Sequence, residues 1–191
     1  MGYPMSGAVI EQIVTKLSNS SWGLNATYNA LAATYSLPAE SATLAINFAP
    51  TNGKSLNFAL ANVNPKDWEG TGAYQFPLVT LFTEGGANEN HEKFHQFSGP
   101  VHVGMNVFLT WRENRLALSV FEPVAWCMEE AVVTVFNRAR NAFPIDQDWG
   151  QVAVYNGDIN WAKSRVERGG AFWLQGIAFK LLFEVNQRGD T

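Results

Sequence analysis

Cysteine occurs once in the 191 residues and histidine three times, and charged side chains make up only 16% of the chain. Each scarcity closes off a class of function. A single thiol, Cys127, cannot form a disulfide within the chain, which points to a reduced, cytoplasmic origin. Its sequence neighbours are Trp126 and Met128, with no histidine close by, so it reads as a core thiol and not as a nucleophile. Thirteen basic against 17 acidic residues leave a net charge of −4. Without a surplus of cations to grip phosphates, direct nucleic-acid binding is not expected as the main task. No apolar run approaches the ~18 residues of a spanning helix. The opening MGYPMSGAVIEQ lacks the charged region and apolar run of a signal peptide. Also missing are a phosphate-cradling glycine loop, a GxSxG elbow, a cysteine pair and an internal repeat. Glu129 and Glu130 are adjacent, so on a helix they point apart and make a poor acid–base pair. No catalytic residue and no cofactor is assigned.

All three histidines fall within HEKFHQFSGPVH, residues 91–102. The segment His91-Glu92-Lys93-Phe94-His95 matches the HExxH pattern of zinc peptidases, in which two imidazoles one helical turn apart bind the metal and the glutamate activates its water. That chemistry needs a regular helix. Upstream stand Gly85, Gly86, Asn88 and Asn90, and downstream Ser98-Gly99-Pro100 stops a helix within a turn of His95. The three-histidine version of the motif also falls one residue out of register at Gly99 and His102. The two-histidine version wants a carboxylate from a later helix, and nothing singles out Glu129 or Glu130. The segment therefore reads as a polar loop between strands without a metal site. A zinc-dependent hydrolase using His91, Glu92 and His95 stands as the alternative.

What is abundant is apolar and aromatic: 47% hydrophobic residues, 13% aromatic, seven tryptophans. Such a chain builds one globular domain with a substantial core. Its low charge density suits a surface largely occupied by neighbours. Ser6 to Leu17 carries Val9, Ile10, Ile13, Val14 and Leu17 at helical spacing behind a candidate N-cap serine, and a second helical stretch runs from Asn25 to Tyr35. Residues 38–75 read as a hairpin arm or insertion, with strands at Ser41–Phe48 and Ser55–Leu60 flanking the Asn52-Gly53 turn signal.

From residue 76 the periodicity sharpens. FPLVTLF is a short strand, and in Val101–Arg112 the odd positions form an apolar face while His102, Gly104, Asn106, Thr110 and Arg112 take the other. Pro123 at a first-turn position opens a helix that runs to about Arg140, with Val124, Met128, Val132, Val135 and Ala139 as its buried stripe. Gln151–Tyr155 is a strand. The loop 156–170 follows, with Lys163, Arg165 and Arg168 either as solvated charges at its tip or as a partner site. Ala171–Val185 closes the chain as a strand on the order of 50 Å long. A ribbon that long outruns a small sheet, and exposed strand edges invite pairing, so this end is expected to make subunit contacts. The subunit-contact candidates are Lys163, Arg165, Arg168, Phe172, Trp173 and Lys180. The fold class is α+β, a mixed, mainly antiparallel sheet of about four core strands packed by one or two helices, plus the hairpin embellishment.

This α-β-β-α-β-β layout resembles the tail-terminator (tail-completion) and neck proteins of long-tailed bacteriophages. The stretches that carry the resemblance are the short N-terminal helix, FPLVTLFTEGG, VHVGMNVFLTW, PVAWCMEEAVVTVFNRAR and FWLQGIAFKLLFEV, covering roughly residues 5–20 and 75–186. The resemblance implies a non-enzymatic virion protein, assembled in the host cytoplasm, that forms a ring, commonly a hexamer. Its implied partners are further copies of itself, the tail tube protein and the head–tail connector proteins, around a channel for DNA and with no membrane contact. A mildly acidic chain suits a channel through which DNA slides without sticking.

Overall fold

The computed structural model describes residues 5–48, 57–62, 75–87, 98–112, 117–139 and 151–187. The fold is α+β. Three helices, α1 (Met5–Leu17), α2 (Leu24–Thr34) and α3 (Leu118–Ala139), accompany six strands: β1 (Phe58–Ala59), β2 (Leu78–Gly86), β3 (Ser98–Arg112), β4 (Gln151–Lys163), β5 (Glu167–Gly169) and β6 (Phe172–Gln187). The sheet is open, in the order β1-β2-β3-β6-β4, with β5 also on β6. All neighbours are antiparallel except the short parallel pair β1–β2. Its spine is the β3–β6 pair, in unbroken register from Ser98↔Asn186 to Arg112↔Phe172.

The alternation written in the sequence fixes which face is buried. Val101, Val103, Met105, Val107 and Leu109 are all buried, as are Ile177, Phe179, Leu181, Phe183 and Val185 across from them. Helices α1 and α3 pack on this face, and α2 packs on α3. Buried Cys127 lies there, its sulfur 3.7 Å from the carbonyl of Tyr28 in α2. Between α1 and α2 the chain turns so tightly that a Cβ on Gly23 would come within 2.5 Å of backbone oxygens of Asn19 and Leu17, so only glycine fits.

Helix α3 begins at Leu118, not at Pro123, which lies inside it. The proline forfeits one helical hydrogen bond. The extra turn ahead of it buries Phe121 completely, edge-on to Trp111 with ring centroids 5.4 Å apart. Burying a phenylalanine contributes about 1.5–3 kcal/mol, enough to offset much of that loss.

The stretch 156–170 is not a loop. Strand β4 continues to Lys163 through a register shift between Tyr155 and Ile159, and β5 resumes the pairing with β6 at Glu167. The gap between β4 and β5 is sealed by Ser164, whose N–H donates to Gly176 O (2.8 Å) and whose hydroxyl accepts from Gly176 N–H (3.0 Å), and by buried Gln175, whose amide donates to Ser164 O. A two-residue turn with Gly170 at φ +58 then reverses the chain into β6.

Among the described residues, 41–48 and 57–60 share no strand ladder. Residues 49–56, including Asn52-Gly53, lie outside the described set, and β1 pairs with β2 instead. Extended residues 44–47 are held by asparagine side chains. The amide of Asn25 both donates to Ile46 O and accepts from Ile46 N–H (2.9 Å each), and Asn29 does the same for Leu44. Asn57 serves Ala45 O and Asn47 N–H on the other side. Three primary amides thus stand in for two neighbouring strands, and Leu44, Ile46 and Phe48 enter the common core.

Candidate functional site

Both ends of the sheet are open among the described residues. At one end β4 has no neighbour beyond it, and at the other β1 covers only the start of β2. The sequence candidates gather along the first of these edges and along the β5–β6 hairpin.

Lys163, the last residue of β4, reaches over α3. Its ammonium pairs with Glu122, lies 3.6 Å from Glu129 Oε1 and sits 6.0 Å above the Trp126 ring. The indole of Trp126 in turn donates to Glu122 Oε1 at 3.1 Å. Partial burial lowers the pKa of Lys163, but the hydrogen bond to Glu122 and the charges of Glu129 and Glu122 outweigh it, and the net shift is upward. This cluster clamps α3 to the sheet edge while leaving Trp126 about half exposed, as is Trp161 on β4. At the hairpin end Arg168 stacks over Trp173 (6.0 Å) and Arg112 over Phe172 (5.4 Å). Arg165 is exposed between β4 and β5. Lys180 stands apart from these, eight residues further along β6 from Phe172, paired with Glu84 of β2 at 3.4 Å. The structure therefore brings Lys163, Arg165, Arg168, Phe172 and Trp173 along one ribbon and separates Lys180 from them.

Sequence reasoning missed Glu122, Trp126 and Trp161. Glu122 and Trp126 stand four apart, the spacing that makes side chains meet on a helix, which was a readable signal. That β4 would bring Lys163 beside them was not, because the α3–β4 packing is tertiary.

The edge of β2 beyond β1 faces a groove of about 700 Å³ lined by Ser6, Gly7 and Ile10 of α1, by Leu60 and Asn62, and by residues 81–84 of β2. The second sheet face carries a different device. Phe82 lies across its cross-strand partner Gly104, and Phe108 across its partner Gly176, so each ring covers a strand position that has no side chain.

His102 is exposed on that second face, opposite Gly85 and Leu182. The HEKFH segment, residues 91–95, lies outside the described residues. Among the described residues no three His, Cys, Asp or Glu side chains converge on one point, and no helix is long and apolar enough to cross a membrane. No protein-family model matches the chain, and no curated protein matches it.

Proposed function

We propose that the chain is a structural ring subunit at the neck of a long-tailed bacteriophage, which terminates the tail tube and joins it to the head around a DNA channel. The observation that carries this reading is the sheet: an α-β-β-α-β-β core whose longest strands, β3 and β6, lie at its centre while both outer edges stay open among the described residues. Open edges with half-exposed tryptophans beside them suit a protein completed by neighbours. The net charge of −4 suits a passage that must not hold DNA. In this role the tail tube protein and the connector proteins lie on the two faces of the ring, and no chemistry is performed.

The experiment is genetic. A phage deprived of this chain should accumulate DNA-filled heads and separate tails, and supplying the purified chain should join them. Normal joined particles in its absence would overturn the reading.

A further inference from the structure

We propose that copies of this chain join by main-chain pairing of the outer edge of β4 in one copy with the outer edge of β2 in the next, with Trp161 filling the groove beside β2. The pairing rests on the ring reading above and names its contact.

Strand polarity permits it without any rearrangement. Strand β2 is antiparallel to β3, β3 to β6 and β6 to β4, so β4 runs antiparallel to β2. A second copy laid beside the first in the same orientation adds its β2 to β4 as one more antiparallel neighbour. The helices of both copies then fall on the same side of a continuous sheet. The contact is head-to-tail, and with the steady twist of a sheet such a contact repeats around an axis until it closes.

The backbone groups are aimed correctly. Ser164 N–H donates to Gly176 O, so in the matching register Ala162 and Asn160 turn their polar groups toward β6. Ile159, Trp161 and Lys163 therefore turn theirs outward. At the other edge Val79 N–H donates outward to Asn57 O, which places Leu81 and Thr83 in the same outward set. Strand β1 ends at Ala59, opposite Thr80, so Thr83 has no strand partner on that side among the described residues. In both outward sets the side chains lie on the helix-bearing face. Antiparallel partners that exchange both hydrogen bonds require this, because their side chains share a face.

The side chains match as well. Trp161 is 47% exposed at the β4 edge, and Leu60, at the groove, is 62% exposed. An indole carries both apolar area and a polar N–H, which suits a recess that sets Ile10 and Leu60 beside Ser6, Asn62 and Thr83.

The test is the mass in solution of Trp161→Pro and Thr83→Pro, each replacing an N–H that points away from its own sheet, where proline is tolerated. Light scattering across micromolar to millimolar concentrations is expected to give an oligomer for the wild type and monomers for each variant alone. An equimolar mixture of the two variants should stop at a heterodimer, since one live edge of each kind remains. If either proline unfolds the chain, Trp161→Glu and Leu60→Glu carry the same prediction through exposed side chains. Trp161→Ala, which keeps the N–H, should weaken association on the order of 30-fold. A Thr83→Pro variant that still assembles, as a dimer through β4 or as a ring through another surface, overturns the pairing and leaves the ring reading standing. A wild-type chain that stays monomeric throughout overturns both.

Discussion

Val107 is fully buried at the centre of β3, opposite Ile177, so an aspartate there would bury an unpaired charge in the core. That costs several kcal/mol, comparable to the whole stability of a domain. Val107→Asp is expected to be recovered only as unfolded protein, and a folded variant by circular dichroism would show the register to be wrong. Cys127 gives a gentler probe. Burial, and then the charge of Glu130, push its thiol up to about 12, and burial also raises the phenol of Tyr28. Both groups stay protonated in the folded chain at pH values where the unfolded chain releases them. Their stabilisation is therefore complete below about pH 8.5, the ordinary thiol value, and is lost as the pH climbs toward 12. Thermal melts should hold steady near pH 7–8 and fall by about pH 10–11, and an unchanged melting point over that range would contradict the assignment. The purified protein is expected to hold no stoichiometric zinc. One zinc per chain, abolished by His91→Ala, would move the reading to a hydrolase built on His91, Glu92 and His95.

Among the elements, the asparagine clip makes a specific demand. Asn29→Ala leaves the N–H and C=O of Leu44 without their partner, at a cost of about 1–3 kcal/mol. Amide exchange at Leu44 should accelerate with it while exchange in β3 stays slow, and equal acceleration everywhere would mean that the clip is not local. On the second sheet face, a Cβ on Gly104 would meet the Phe82 ring at 2.5 Å, against 3.4 Å for Gly176 and Phe108. Gly104→Ala should therefore destabilise by about 1–3 kcal/mol and Gly176→Ala by less. Removing the ring as well, in Phe82→Ala, should relieve the first penalty. What the sequence revealed of these elements follows their physics. Strands β3 and β6 were legible because one face of each is buried along most of its length, so period two survives in the letters. The extent of β4 was hidden because Asn156, Gly157 and Asp158 have the composition of a turn and do form an irregularity, with Gly157 at φ +90, after which the pairing with β6 resumes at Ile159. Helix α3 was misread at its start because a proline can sit inside a helix when burial of Phe121 offsets the missing bond. The clip was unreadable, since nothing local distinguishes Asn25 and Asn29 from solvated asparagines. Of the candidate site, the basic residues near the hairpin and Trp173 could be named from the sequence, whereas Glu122 and Trp126 meet Lys163 only through the docking of α3 on β4.

At the scale of the whole molecule, one core-covered face, a spine of two long strands and, among the described residues, two open edges make up the sheet that the proposed assembly would extend at either end. The low charge content and the half-exposed Trp126 and Trp161 suit the proposed assembly with other chains. Negative-stain imaging of the concentrated wild-type chain, with its mass measured in parallel by light scattering, tests this most directly. The account predicts a single closed oligomer, seen as a ring with a central hole and with a mass that is a fixed multiple of 21.1 kDa. A chain that remains one copy at every concentration, or that grows into open filaments without closing, would contradict it.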